Sequence, residues 1–216
     1  MTDLSVYLVT DSALAASRGR DVAETVAEAV AGGVTTVQVR EKDLPAARFL
    51  ETVLAVSRAL PDDVALIVND RVDVFLAARA AGARVTGVHV GQSDLPPSLV
   101  RRLVGEGAVI GVSAATPAEL AAAAADPGRV DYVGLGVVRQ TATKTDAPPP
   151  LGVAGFADLA RSTQLPTVAI GGIRLADVAP LRAAGAAGAA VVSGICAAED
   201  PRRAAAEFAA AWAGVA

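Results

Sequence analysis

The chain has 216 residues, 53% hydrophobic and 19% charged, with a net charge of −4. That balance supplies ample core and argues against nucleic acid as a partner, since such binding calls for a basic surface. The single cysteine, Cys196, excludes an intramolecular disulfide and a cysteine-based metal cluster.

The opening MTDLSVYLVTDS lacks a basic stretch followed by a long apolar run, so it does not read as a signal peptide. The uncharged run from Ala183 to Ala198 is shorter than the ~20 apolar residues that a spanning helix needs. These features predict a cytoplasmic protein that engages no membrane.

Eight β-rich runs and eight helical segments alternate along the chain. VYLVTD from Val6 precedes a helix over Asp21 to Ala31, and TVQVRE from Thr36 precedes one over Pro45 to Leu60. ALIVND from Ala65 leads to Val72–Ala81, GVHVGQ from Gly87 to Pro97–Val104, and VIGVSA from Val109 to Pro117–Ala125. YVGLGV from Tyr132 is followed by Val153–Ala160, TVAIGG from Thr167 by Leu175–Ala184, and AAVVSG from Ala189 by Pro201–Ala213. The strand runs are apolar with little alternation, as parallel strands buried on both faces are. Pro45, Pro97, Pro117 and Pro201 sit near helix starts, where proline is tolerated. Eight repeats without a linker predict one (β/α)8 barrel domain over residues 1–216. The competing doubly wound sheet lacks support, because no Gly-rich fingerprint follows the first strand.

In such a barrel, chemistry collects where the strands end. The second strand ends in Gln38 and Arg40, with Lys42 just beyond, and the third in Asn69 and Asp70. Asp94 follows the fourth, Ser113 closes the fifth, and Thr141, Thr143 and Lys144 follow the sixth. Gly172 follows the seventh strand, and Val192 and Ser193 end the eighth. Glycine turns at the last two strands expose backbone N–H groups and suit a phosphate monoester. Arg40, Lys42 and Lys144 suit a second, more highly charged group. Asp70 and Asp94, from neighbouring strands, suit Mg²⁺ completed by phosphate oxygens and water. Each carboxylate also reads as a cap or turn residue. His89 reads as a structural histidine more readily than as a base, and Tyr7 and Trp212 read as packing. No serine or cysteine nucleophile system is arguable.

VQVREKD, LIVNDRVDVFLAARAAGARVTGVHVGQSDLP, IGVSAATPAEL, DYVGLGVVRQTATKTD and VAIGGI together resemble the thiamine-phosphate synthases, a family of (β/α)8-barrel enzymes, over nearly the whole chain. The resemblance implies transfer of a pyrimidinylmethyl group. A hydroxymethylpyrimidine diphosphate joins a thiazole phosphate, releasing diphosphate by a dissociative, Mg²⁺-assisted substitution. It implies that Gln38, Arg40, Lys42 and Asn69 hold the pyrimidine diphosphate, that Ser113 contacts the ring, and that Lys144 meets the diphosphate. It implies Asp70 and Asp94 for Mg²⁺, and Thr141, Thr143, Gly172, Val192 and Ser193 for the thiazole phosphate. Arg40, Lys42, Ser113 and Lys144 would carry catalysis. The family is compatible with a homodimer. Two departures stand out. Ala114 and Ala115 occupy positions where the family often has a histidine. Val138, Arg139 and Gln140 replace a proline–aromatic–proline segment. A related thiazole tautomerase would need that histidine and would have no use for the full diphosphate set. A non-catalytic regulatory homologue is the other alternative.

Overall fold

In the computed structural model, which describes residues 2–141 and 149–215, all eight expected strands are present. They are β1 (Val6–Val9), β2 (Thr36–Val39), β3 (Ala65–Asn69), β4 (Gly87–Val90), β5 (Val109–Ala114), β6 (Tyr132–Gly136), β7 (Thr167–Ile170) and β8 (Gly188–Val191). Each pairs in parallel with the next, and β8 returns to β1, closing the barrel. Closure leaves no strand edge exposed.

The helices are α1 (Ser12–Ala16), α2 (Val22–Ala31), α3 (Ala46–Ala59), α4 (Val72–Ala80), α5 (Pro97–Val104), α6 (Pro117–Ala125), α7 (Gly152–Arg161), α8 (Leu175–Ala183), α9 (Ser193–Cys196) and α10 (Pro201–Ala213). Eight match the expected segments within a residue or two at each end. The additions, α1 and α9, are too short for helical periodicity to register. Local chemistry sets the starts. Asp21 with Glu24 and Thr116 with Glu119 form capping boxes, and Asp11 and Asp200 cap α1 and α10.

The core has two layers. Between strands and helices, Val, Leu, Ala and four phenylalanines, Phe49, Phe75, Phe156 and Phe208, fill the space. Inside the barrel a smaller cluster of Leu4, Tyr7, Val9, Tyr132, Val168 and Ala190 plugs the axis. Alternation along each strand explains the division, since residues two apart share a face. Above the plug the same inward positions turn polar, and there the mouth begins.

At the opposite end of the barrel, Arg101 of α5 is buried. Its guanidinium donates to the carbonyls of Gly128 (2.9 Å), Gly105 (3.1 Å) and Arg129 (3.0 Å), and to Asp131 Oδ2 (3.1 Å). Asp131 Oδ2 also accepts from the Ile110 N–H at 2.7 Å. This buried charge is paired and hydrogen-bonded on all sides, as burial requires.

Candidate active site

The first half of the mouth is built by β2, β3 and β4. The Arg40 N–H donates to Thr10 Oγ1 at 3.1 Å, which anchors the chain as it leaves β2. Arg40, Glu41 and Lys42 then run along the rim, with Lys42 exposed. Next to them, Asp70 adopts a left-handed backbone, φ 59°, which Asp tolerates better than most residues. Its N–H donates to the His89 carbonyl at 2.8 Å. The N-cap position of α4 falls on Arg71, without a side-chain cap, so Asp70 is not spent on capping.

Asp70 and Asp94 meet side chain to side chain. Burial and the facing Asp94 carboxylate push the Asp70 carboxyl up to about 6, and neighbouring Arg40 and Asn69 only partly offset this. Asp94 Oδ2 also accepts from the Gly91 N–H at 2.7 Å, so its turn role and its place beside Asp70 coexist. Two like-charged carboxylates held together in a half-buried position are a cost that a divalent cation would relieve. The oxygen donors and their number fit Mg²⁺ with several positions left for phosphate and water. Among the described residues no cluster of three or more His, Cys, Asp or Glu side chains competes as a metal site.

A chain of side-chain hydrogen bonds crosses the barrel interior beneath this rim. Gln38 Nε2 donates to Tyr7 Oη (2.8 Å), Tyr7 Oη meets Tyr132 Oη (2.7 Å), and Tyr132 Oη meets His89 Nδ1 (3.0 Å). His89 Nε2 lies 3.0 Å from Ser113 Oγ. Gln92 Nε2 donates to the Ser113 carbonyl at 2.6 Å, fixing the strand end. Gly111 makes room for the chain, because a Cβ there would lie 2.2 Å from Tyr132 Cζ and 2.5 Å from His89 Nδ1. Tyr7 is thus a packing residue, as expected, and a polar link as well.

The second half of the mouth opens into a cavity of about 640 Å³. Thr141, Gly172, Ser193, Gly194 and Arg174 are among its lining residues. Ser193 and Gly194 are the first residues of α9, so their N–H groups have no intrahelical acceptor. Val192 immediately precedes them as the N-cap. Gly172, at φ 63°, passes so close to the sixth loop that a Cβ would lie 2.8 Å from the Gln140 carbonyl oxygen. Arg139, whose orientation the sequence leaves open, donates to Asp177 Oδ2 (2.8 Å) and Oδ1 (2.5 Å) on α8. It therefore braces the loop against α8, and the Arg139 guanidinium holds the Asp177 carboxyl below its usual range.

Gln38, Arg40, Asn69, Asp70, Asp94 and Ser113 thus gather at one side of the mouth, and Thr141, Gly172, Val192 and Ser193 at the other. Thr143 and Lys144 lie outside the described residues. Tyr132 and Arg174 join these residues without a signal in the sequence. Nothing local marks Tyr132, because its partners come from β1, β2 and β4. Arg174 stands two residues after Gly172, past Ile173, and lines the cavity, so a cation is present where a phosphate end would sit.

Fold and site define a (β/α)8 barrel with a polar, phosphate-suited mouth. A family model described as thiamine monophosphate synthase matches residues 6–195. A thiamine-phosphate synthase of Azorhizobium caulinodans is 48% identical over 204 residues, covering 94% of this chain and 92% of its own. One from Albidiferax ferrireducens is 46% identical over 199 residues, covering 92% and 87%. Among solved structures, the thiamine phosphate pyrophosphorylase of Pyrococcus furiosus superposes with a TM-score of 0.85 at 31% identity, covering 99% of this chain and 98% of that one. A 3-hexulose-6-phosphate synthase, at 22% identity and a TM-score of 0.67, shares the fold alone. The chain belongs to the thiamine monophosphate synthase family.

Proposed function

We propose that this protein joins 4-amino-2-methyl-5-(hydroxymethyl)pyrimidine diphosphate to 4-methyl-5-(2-phosphoethyl)thiazole, giving thiamine phosphate and diphosphate. The reading rests on family membership and, above all, on one feature of the mouth. The crowded Asp70–Asp94 pair stands beside Arg40, apart from the backbone donors of Gly172 and Ser193. Two anionic ends of different charge suit two different phosphorylated substrates.

In this reading Gln38, Asn69 and Ser113 orient the pyrimidine ring. Arg40, Lys42 and Lys144 take the diphosphate, whose negative charge grows as the carbon–oxygen bond breaks and both electrons leave with it. Asp70 and Asp94 would hold Mg²⁺, which when bound supplies positive charge for the diphosphate oxygens. The aminopyrimidine ring disperses the positive charge left on its methylene carbon. Thr141, Thr143, Gly172, Val192 and Ser193 fix the thiazole phosphate so that the ring nitrogen's lone pair closes on that carbon. No protein nucleophile is required. The chain contributes position and fixed charge, which are worth more in a mouth than in water.

The test is incubation of purified protein with both substrates, with Mg²⁺ and with chelator, reading thiamine phosphate as fluorescent thiochrome. Magnesium-dependent product is expected. A folded protein that binds the thiazole phosphate and yields no product would overturn the assignment.

A further inference from the structure

The interior hydrogen-bond chain has a direction, and the direction can be worked out link by link. Gln38 Nε2 is a donor only, so Tyr7 Oη accepts at that contact. Tyr7 is buried, and among the described residues its O–H has one remaining neighbour able to accept, Tyr132 Oη at 2.7 Å. Burial pushes both phenols well above their ordinary range, so each keeps its proton and must place it. Tyr132, accepting from Tyr7, gives its own O–H to His89 Nδ1 at 3.0 Å. Nδ1 is then the bare nitrogen of the ring and Nε2 carries the hydrogen. Nε2–H donates to Ser113 Oγ at 3.0 Å. The reverse direction would send hydrogens from both Gln38 and Tyr132 to Tyr7 and leave the buried Tyr7 O–H without an acceptor, at a cost.

We propose that Tyr7, Tyr132 and His89 are positioning residues that fix the Ser113 hydroxyl as a hydrogen-bond donor toward the mouth. Ser113 Oγ receives a hydrogen from His89, and among the described residues its own O–H has no acceptor, so that hydrogen can be given to the bound molecule. That O–H calls for an acceptor, and on the proposed aminopyrimidine substrate a ring nitrogen supplies it. Gly111 serves the same end, since any side chain there would displace Tyr132 and His89. The inference rests on the synthase reading for the identity of the ligand and on the hydrogen-bond geometry for everything else.

His89 is the single histidine of the chain, which makes the test unambiguous. Protein labelled with [15N]histidine should show, at pH 7.5, one neutral imidazole with the proton on Nε2 and a hydrogen-bonded Nδ1. In Tyr132→Phe the Nδ1 resonance should move to that of a nitrogen accepting no hydrogen bond. Binding of the pyrimidine diphosphate with Mg²⁺, read by calorimetry without turnover, should weaken roughly fivefold in Ser113→Ala, the worth of one hydrogen bond. Tyr132→Phe should weaken it by a similar or smaller factor, and the double variant no more than Ser113→Ala alone, since Tyr132 acts through Ser113. Should Tyr132→Phe fail to fold, Tyr7→Phe enters the same cycle one link further back. A proton on Nδ1, an imidazolium, an unmoved Nδ1 resonance or additive losses in the cycle would each overturn the proposal. Because neither readout uses product formation, failure of the condensation assay strikes the synthase reading separately.

Discussion

At the end of the barrel where the strands begin, Arg101 is buried, its guanidinium shared among five backbone carbonyls and Asp131. At the other end, Asp70 and Asp94 face each other, and burial together with that proximity raises the Asp70 carboxyl. Both are charged groups drawn out of water, yet one has its charge answered by the protein and the other does not. The difference teaches where to look for function. A charge whose partners are complete supports the fold, while a charge left at a cost by its surroundings is held for something that arrives.

Breaking the closed end should produce the largest effect on folding. Arg101→Met leaves Asp131 and several carbonyls without their donor and should cost about 3 kcal/mol of stability. A urea titration reads it, and activity per folded molecule should stay within about twofold.

The open end should behave in the opposite sense. Asp70→Asn should lower turnover by about 100-fold, as expected when a metal-binding oxygen is removed. Metal-free stability at pH 7.5 should not fall, and should rise. The sign follows from linkage. The folded-state carboxyl titrates near 6, above the ordinary value of 3.8, so its ionisation is a cost absent at low pH and complete above about pH 6. Stability of the metal-free protein therefore declines between about pH 4 and 6, and that decline should flatten in Asp70→Asn. Melting curves across this window check it.

Arg139 sharpens the comparison at the smallest scale. It sits among mouth residues but is committed to Asp177, so it belongs with the closed charges. Arg139→Ala should lower the unfolding midpoint while changing the KM for thiazole phosphate by no more than about threefold. The depressed Asp177 carboxyl contributes stability above the ordinary carboxylate range, lost as pH falls through its folded value, so the variant's deficit should fade in acid.

The barrel was legible in the sequence because parallel strands buried on both faces must be written as apolar runs, and several of the helices between them have a proline near the start. Gln38, Arg40, Asp70 and Ser113 were legible for a related reason, being polar residues where an apolar run stops. Asp70 and Asp94 could be named as partners only because β3 and β4 are neighbours. Tyr7 and Tyr132 were not legible, because each looks like a core aromatic until closure of the barrel brings their hydroxyls together. The orientation of Arg139 depended likewise on Asp177, 38 residues away. The short helices α1 and α9 carry too few residues to leave a period in the sequence.

The claim that the mouth holds its carboxylate pair for a metal-bound diphosphate is tested most directly by calorimetry with inorganic diphosphate. Titration into the wild-type protein at pH 7.5 with Mg²⁺ should give saturable binding that disappears with chelator and is lost in Asp70→Asn. Diphosphate binding of equal strength with and without Mg²⁺, or undiminished in Asp70→Asn, would contradict the account.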